Sequence, residues 1–154
     1  MAVSEGVVRG SSVRVVFDTT ILASLSIATQ DPLAFLCRAT EQRRFELCVS
    51  DFILDELGRT LKKPYFVSRL PDQGAAFLGM LRQVATVVPV SVALVGVVSD
   101  PNDDPILSTA VSAQAHYLVS GDKAVLAVGQ VQCIPIMTAR QFYDLLQQQP
   151  QQQP

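Results

Sequence analysis

The chain has 154 residues, of which 49% are hydrophobic and 17% are charged, which indicates one folded domain with its own core and excludes a disordered polypeptide. The 12 Lys and Arg against 14 Asp and Glu give a net charge of −2, which is not the balance of a protein that coats nucleic acid. The three cysteines, Cys37, Cys48 and Cys133, are odd in number and form no CxxC pair, a pattern typical of the reducing cytoplasm. The uncharged stretch 83–99 contains Pro89 and is shorter than the roughly 20 apolar residues of a membrane span, so we predict short buried strands and a loop there.

The two ends of the chain differ from the middle in composition. Residues 1–12 lack hydrophobic periodicity, and we expect a flexible arm. Residues 148–154 belong to a Gln- and Pro-only terminus that cannot bury a core, and we expect a disordered tail. The domain is therefore predicted to span residues 13–147.

Within that domain, short β-branched runs alternate with helical patterns. The predicted strands are 13–17, 45–50, 86–90, 117–120 and 132–137. The predicted helices are 20–28, 32–40, 51–61, 71–84, 104–115, 123–128 and 138–147, with Asp31, Ser50 and Asp104 as N-caps. This alternation predicts an α/β fold whose parallel sheet is covered by helices on both faces.

Four acidic residues follow strands of this predicted sheet. Asp18 directly follows the first strand, Glu56 lies on the helix after the second, Asp103 precedes the helix at 104, and Asp122 follows the strand at 117–120. Ligands of parallel α/β sheets bind beyond the carboxyl ends of the strands. Each acid alone is typical of a turn, a cap or a surface helix, but together they predict a site.

Helical phase distinguishes neighbouring acids. Glu56 lies at the edge of the apolar stripe of Ile53, Leu57 and Leu61, whereas Asp55 lies on the opposite side. Asp103, extrapolated back from its helix, lies on the face that packs on the sheet, and Asp104 lies about 100° away. We expect Asp104 to be the N-cap, and the choice between Asp103 and Asp104 for the site stays open.

Carboxylate clusters have a specific chemistry. Their oxygens are hard ligands that suit Mg²⁺ or Mn²⁺, and crowding them is costly without a cation. Paired cations can hold the attacking and leaving oxygens of a phosphodiester, so no His, Cys or Ser nucleophile is needed.

Three segments resemble PIN-domain proteins across residues 13–146. They are VVFDTTILAS, VSDFILDELGRTLKKPYF and DPNDDPILSTAVSAQAHYLVSGDKAVL, and the last resembles a subgroup described as VapC-like toxins of toxin–antitoxin pairs. The resemblance implies a three-layer α/β/α sandwich with a central parallel sheet. It also implies a cytoplasmic ribonuclease in which a metal-activated water hydrolyses RNA with Mg²⁺ or Mn²⁺.

The resemblance carries residue roles as well. It places the catalytic and metal-binding acids at Asp18, Glu56, Asp103 and Asp122, and supporting residues at Thr19 and Ser120. Thr20 stands where Asn is usual, and Ala124 where many members have another Asp. It further implies an RNA substrate, a cognate antitoxin protein and a homo-oligomer.

Basic and aromatic residues between 38 and 69 have two interpretations. Arg43, Arg44, Lys62 and Lys63 form either a rim for RNA phosphates or ordinary solvated helix faces. Tyr65 stacks on a base or fills the core, and for Phe66 and Phe77 we favour the core.

Two other functions compete with the nuclease. An aspartyl-phosphate phosphatase would share an acid after the first strand, but such enzymes have DxD where this chain has Thr20. A PIN scaffold that only binds RNA or protein would be expected to lack some of the four acids.

Overall fold

The computed structural model describes residues 12–69, 74–98 and 100–149. The strands are β1 Arg14–Phe17, β2 Glu46–Val49, β3 Thr86–Val87, β4 Tyr117–Val119, β5 Gln130–Val131 and β6 Ile134–Met137. The helices are α1 Thr19–Ser26, α2 Leu33–Glu41, α3 Asp51–Leu61, α4 Pro64–Val67, α5 Gly74–Val84, α6 Asp104–Ser112, α7 Lys123–Val128 and α8 Ala139–Gln148. A 3₁₀ turn, Pro101–Asp103, leads into α6.

The sheet has the order β3-β2-β1-β4-β6-β5, and its neighbouring strands are parallel except for β5 and β6. The chain moves outward in one direction from β1 to β3, then returns to the other side of β1 to form β4. Because crossovers between parallel strands are right-handed, this reversal places helices on both faces. The predicted three-layer α/β/α sandwich is confirmed.

The core is built around the central strand. Val15, Val16 and Phe17 of β1 are fully buried, as expected for a strand covered on both faces. On one face the rings of Phe17, Phe45 and Phe142 pack with centroids 5.1 to 5.8 Å apart. This cluster packs α8 against the last residue of β1 and the residue that precedes β2.

The predicted strand at 132–137 is wrong in its first half. Residues 130–137 form an antiparallel hairpin in which Gln130 pairs with Pro135 and Val131 with Ile134. The two turn residues, Gln132 and Cys133, have φ values of 45° and 69°. Two-residue hairpin turns of type I′ have positive φ at both central positions, which Asn and Gly usually supply, so this sequence carries no hairpin signal.

The strand predicted at 86–90 is shorter and exposed, since β3 covers only Thr86–Val87, and the described residues after it form the predicted loop. Residues 91–96 run along α6 as an irregular segment that we call the strap. Its backbone N–H groups donate to side chains spaced four residues apart on α6, which are Asp104, Ser108 and Ser112. Five valines of this region are exposed to solvent: Val87, Val90, Val92, Val95 and Val97.

The three predicted N-caps have different outcomes. Ser50 caps α3, with its hydroxyl accepting from the Ile53 N–H at 3.4 Å. Asp31 is not a cap, since α2 begins at Leu33 and Pro32 occupies the cap position without a side-chain bond. Asp104 is not a cap either, because the preceding 3₁₀ turn makes it the first residue of α6.

The predicted ends of the domain are only partly covered. Of the arm at 1–12, residues 1–11 lie outside the described residues, as do 150–154 of the tail. Gln148, placed in the tail by the sequence, is the last residue of α8. No helix in the described ranges is long and apolar enough to cross a membrane.

Candidate active site

All four predicted acids line one cleft at the carboxyl ends of β1, β2 and β4. The cleft has a volume of about 180 Å³. Its lining consists of Asp18, Thr19, Thr20, Glu56, Thr60, Lys63, Asp103, Ile106 and Asp122. Parallel strands that end at one edge therefore gather side chains that are as much as 104 positions apart in the sequence.

Asp18 forms the floor of the cleft and is 6% exposed. It is the N-cap of α1, where its Oδ1 accepts hydrogen bonds from the Ile21 N–H at 3.0 Å and the Thr20 hydroxyl at 2.8 Å. The Ser120 hydroxyl donates to its Oδ2. Burial raises the pKa of Asp18, and the three hydrogen bonds oppose that rise by stabilising the carboxylate.

Glu56 is held from the adjacent wall. The Thr19 hydroxyl donates a 2.6 Å hydrogen bond to its Oε1. Asp55, its neighbour on α3, is exposed, while Glu56 is partly buried. Helical phase therefore predicted the correct acid of this pair to face the cleft.

Ser120 connects two of the acids. Besides donating to Asp18, its hydroxyl oxygen accepts from the Asp122 N–H at 3.0 Å. The Asp122 carboxylate is exposed and caps α7, with Oδ1 accepting from the Ala124 N–H at 2.8 Å and the Val125 N–H at 3.3 Å. Asp122 is thus both a cap residue and part of the cleft lining.

Asp103 is the acid of the cleft whose negative charge is least compensated by hydrogen bonds. Its Oδ2 is buried and has no hydrogen-bond partner. Burial, followed by repulsion from Asp122, Asp100, Asp18 and Glu56, raises the pKa of Asp103 to about 6. A carboxylate in this situation is stabilised by a nearby positive charge.

Asp104 points away from the cleft. It is 8% exposed, and its Oδ2 accepts from the Gly96 N–H at 3.1 Å, so it anchors the strap. Its Oδ1 is buried without a partner. The structure therefore assigns different positions to two consecutive acids, with Asp103 in the cleft and Asp104 behind it.

The residues fit a divalent cation by chemistry. The carboxylates and the flanking hydroxyl groups are hard oxygen donors, and Asp103 has an uncompensated charge. In the described part of the chain, however, no three His, Cys, Asp or Glu side chains form a group that could hold a metal ion. Asp18, Glu56 and Asp122 each accept the hydrogen bonds given above.

The predicted basic rim is divided between two ends of the sheet. Lys63 lines the cleft, and its neighbour Lys62 is exposed. Arg43 and Arg44 precede β2, at the end opposite the cleft. There the Arg43 guanidinium donates to the Gln83 carbonyl at 3.0 Å, and that of Arg44 lies 5.2 Å from the centre of the Phe35 ring. These two arginines do not line the cleft.

Sequence reasoning missed Thr60 and Ile106 as cleft residues. Thr60 lies four residues after Glu56 on α3, and Ile106 lies three residues after Asp103 at the start of α6. Residues spaced by three or four on a helix share a face, so Thr60 could have been predicted from Glu56, and Ile106 from Asp103.

Comparison with known proteins identifies the family and the fold of the chain. Residues 14–124 match the family described as PIN domain. No curated protein shows significant similarity to the chain. A chain in the crystal structure of VapBC2 from Rickettsia felis, bound to a DNA fragment from the promoter, superimposes with a TM-score of 0.56 at 15% identity. The match covers 81% of this chain and 98% of that one, and at this identity it supports the fold alone.

Proposed function

The chain belongs to the PIN domain family, and from that premise we propose that it is an endoribonuclease dependent on Mg²⁺ or Mn²⁺. The single observation that carries the proposal is the cleft, where acids from four separate segments meet and Asp103 has a buried, unpartnered oxygen. An acidic cleft of this kind repels RNA unless cations neutralise it. Divalent cations supply that neutralisation and activate water toward a phosphodiester when bound.

The residues have separate roles in this proposal. Asp18, Glu56, Asp103 and Asp122 would hold the cations. The Thr19 hydroxyl orients Glu56 through one hydrogen bond. The Ser120 hydroxyl orients the Asp18 carboxylate and the Asp122 backbone, and so links these two acids.

Neighbouring hydroxyl and ammonium groups complete the proposed site. Thr20 donates to Asp18, which supplies a hydrogen bond at the position where the family usually has Asn. Lys63 is the basic residue among the described lining of the cleft, and we assign it to an RNA phosphate. Lys62, exposed beside it, extends the positive charge outward.

We also propose that the protein is the toxin of a toxin–antitoxin pair and binds a cognate antitoxin protein. The support is the family together with the fold shared with a chain of the VapBC2 assembly. Self-association, which the sequence resemblance implies, stays a prediction.

The direct test is cleavage of single-stranded RNA with Mn²⁺ present. We expect cutting that stops on addition of EDTA and is lost in Glu56→Gln. The matched control is Asp55→Asn, an exposed acid one residue away on the same helix, which should cut like the wild type. Cleavage that persists in EDTA, or equal loss in both variants, would contradict the metal-dependent mechanism.

A further inference from the structure

An exposed aromatic residue lies two positions after a residue of the cleft wall. Tyr65 lies in the one-turn helix α4 and is 55% exposed. Lys63, which lines the cleft, is the N-cap of the same helix. Two residues span at most about 7 Å, so the Tyr65 backbone lies within about 7 Å of the backbone of Lys63 on the cleft wall.

The tyrosine ring is held in place rather than left free. The Arg69 guanidinium lies 3.6 Å from the ring centre and donates a 2.8 Å hydrogen bond to the Tyr65 carbonyl. The Phe66 ring, packed against the core, meets the Tyr65 ring at 76° with centroids 5.0 Å apart. A ring fixed by a cation and by a core residue, yet more than half exposed, has surface available for a flat ligand.

The chain segment that contains Tyr65 carries charge of one sign. Residues 57–69 contain four basic residues and no acidic one. The basic residues are Arg59, Lys62, Lys63 and Arg69, and all four are exposed. No ion-pair partner of Arg69 is found among the residues that the structure describes. This positive strip borders a cleft lined by carboxylates, so a polyanion can lie along the strip while one phosphate enters the cleft.

We propose that Tyr65 is a stacking platform for a base of single-stranded RNA, next to the nucleotide whose phosphate enters the cleft. The inference rests on the proposed nuclease function and adds the subsite that selects unpaired nucleotides. A base presents a π face to the ring, Arg69 lies against the same ring, and the strip binds the backbone phosphates. Bases inside a duplex are already stacked on one another, so the platform favours single strands.

An acidic protein segment is the competing occupant, because the strip would attract it as well. It has no need of an exposed ring, however, and Lys and Arg side chains alone would suffice. The stacked Arg69 and Tyr65 pair therefore favours the nucleic acid.

The chain has no tryptophan, so Tyr65→Trp introduces a single fluorophore at the platform. Titration in Mn²⁺ of Tyr65→Trp combined with Glu56→Gln, in which we expect no cutting, should show quenching by a short single-stranded RNA. An abasic oligonucleotide of equal length and an RNA duplex should leave the signal unchanged. Equal quenching by the abasic strand, or quenching by a poly-glutamate peptide but not by RNA, overturns the proposal.

Affinity and kinetics provide the second measurement. Tyr65→Ala should weaken binding of the single strand about ten-fold, and Tyr65→Phe should restore it, because stacking needs the ring and not the hydroxyl. Val67→Ala, an exposed site in the same helical turn, is the matched control and should bind normally. With Mn²⁺ present, Tyr65→Ala should raise KM and spare kcat, since the platform is removed from the reacting phosphate.

The outcomes separate this inference from the nuclease proposal. Base-dependent quenching without any RNA cleavage in Mn²⁺ would refute the nuclease and keep the platform. Cleavage by the wild type with an unchanged KM in Tyr65→Ala would refute the platform alone.

Discussion

The Thr19 hydroxyl donates a 2.6 Å hydrogen bond to Oε1 of Glu56, across 37 positions of the sequence. Thr19 directly follows Asp18, which forms the cleft floor, and it begins α1, whereas Glu56 lies in the middle of α3. Asp18 thus contributes one carboxylate to the cleft, and the next residue, Thr19, holds a second carboxylate, that of Glu56. The orientation of Glu56 depends on the packing of α1 against α3.

Thr19→Val should lower RNA cleavage about ten-fold while the fold is retained. Valine preserves the shape of the buried threonine but removes the donor to Glu56, and one hydrogen bond to a charged group contributes about 1.5 to 3 kcal/mol. Thr19→Ser keeps the hydroxyl and should retain most activity. The comparison is made by initial rates in Mn²⁺ with melting curves for each variant. Equal rates for the valine and serine variants would show that Thr19 does not orient Glu56.

How far the sequence determines the site depends on the range of the interactions. Asp18 and Glu56 were placed by strand ends and helical phase, both of which are local rules. Helical phase placed Asp103 and Asp104 about 100° apart, but the role expected for Asp104, the N-cap of α6, was wrong. It anchors Gly96 of the strap, and no local rule predicts that a segment without regular structure will dock on α6.

Two further errors of the sequence-based predictions have different causes. The hairpin of β5 and β6 depends on positive φ at Gln132 and Cys133, which neither residue type favours. The grouping of Arg43 and Arg44 with Lys63 followed their proximity in the sequence, yet β2 carries the chain from one end of the sheet to the other between them.

Divalent cations should stabilise the folded protein. An ion that binds only the native state adds about 2.7 kcal/mol to the free energy of unfolding at one hundred times its dissociation constant. We expect millimolar Mg²⁺ or Mn²⁺ to raise Tm, and Asp18→Asn to abolish most of that rise. Asp144→Asn, an exposed acid paired with Arg140 on α8, is the control and should respond like the wild type. Unmoved wild-type melting curves would argue against the metal site.

The stability of the metal-free protein should depend on Asp103 and pH. The folded-state pKa of about 6 lies above the usual aspartate pKa of 3.8, so the contribution of Asp103 to the free energy of unfolding is full below about pH 4 and is lost as pH rises through 6. Asp103→Asn should remove this loss and stabilise the metal-free protein at pH 8 by on the order of 1 kcal/mol, after allowance for screening by solvent. Urea unfolding at pH 5 and pH 8 in EDTA measures both effects. A destabilised Asp103→Asn at pH 8 would contradict the repulsion.

Lys63 and Arg43 should differ in their effect on RNA binding. Lys63 lines the cleft, whereas Arg43 lies before β2 and donates to Gln83. Lys63→Gln should weaken RNA binding several-fold and reduce the salt dependence of the binding constant by about 0.7 in the logarithmic slope, as for one phosphate contact to a single strand. Arg43→Gln should leave the slope unchanged. Titrations between low and physiological salt compare them, and a larger change in Arg43→Gln would move the RNA path to the opposite end of the sheet.

Asp103 and Asp104 provide the sharpest comparison, because they are consecutive and have the same chemistry. Asp103 lines the cleft with an unpartnered oxygen, and Asp104 is buried behind it with Oδ2 bound to the Gly96 N–H. Asp103→Asn should lower kcat by orders of magnitude without destabilising the protein, since it removes a proposed cation ligand. Asp104→Asn should keep most activity, because the amide oxygen still accepts from Gly96.

Asp104→Ala completes the comparison by removing the acceptor. It leaves the Gly96 N–H without its partner, which should lower the free energy of unfolding by about 1 to 2 kcal/mol. Its kcat should stay well above that of Asp103→Asn, since the cleft retains its acids. Rates and unfolding curves of the three variants, measured side by side, decide the assignment. If Asp104→Asn loses turnover and Asp103→Asn keeps it, Asp104 replaces Asp103 as the third acid of the site.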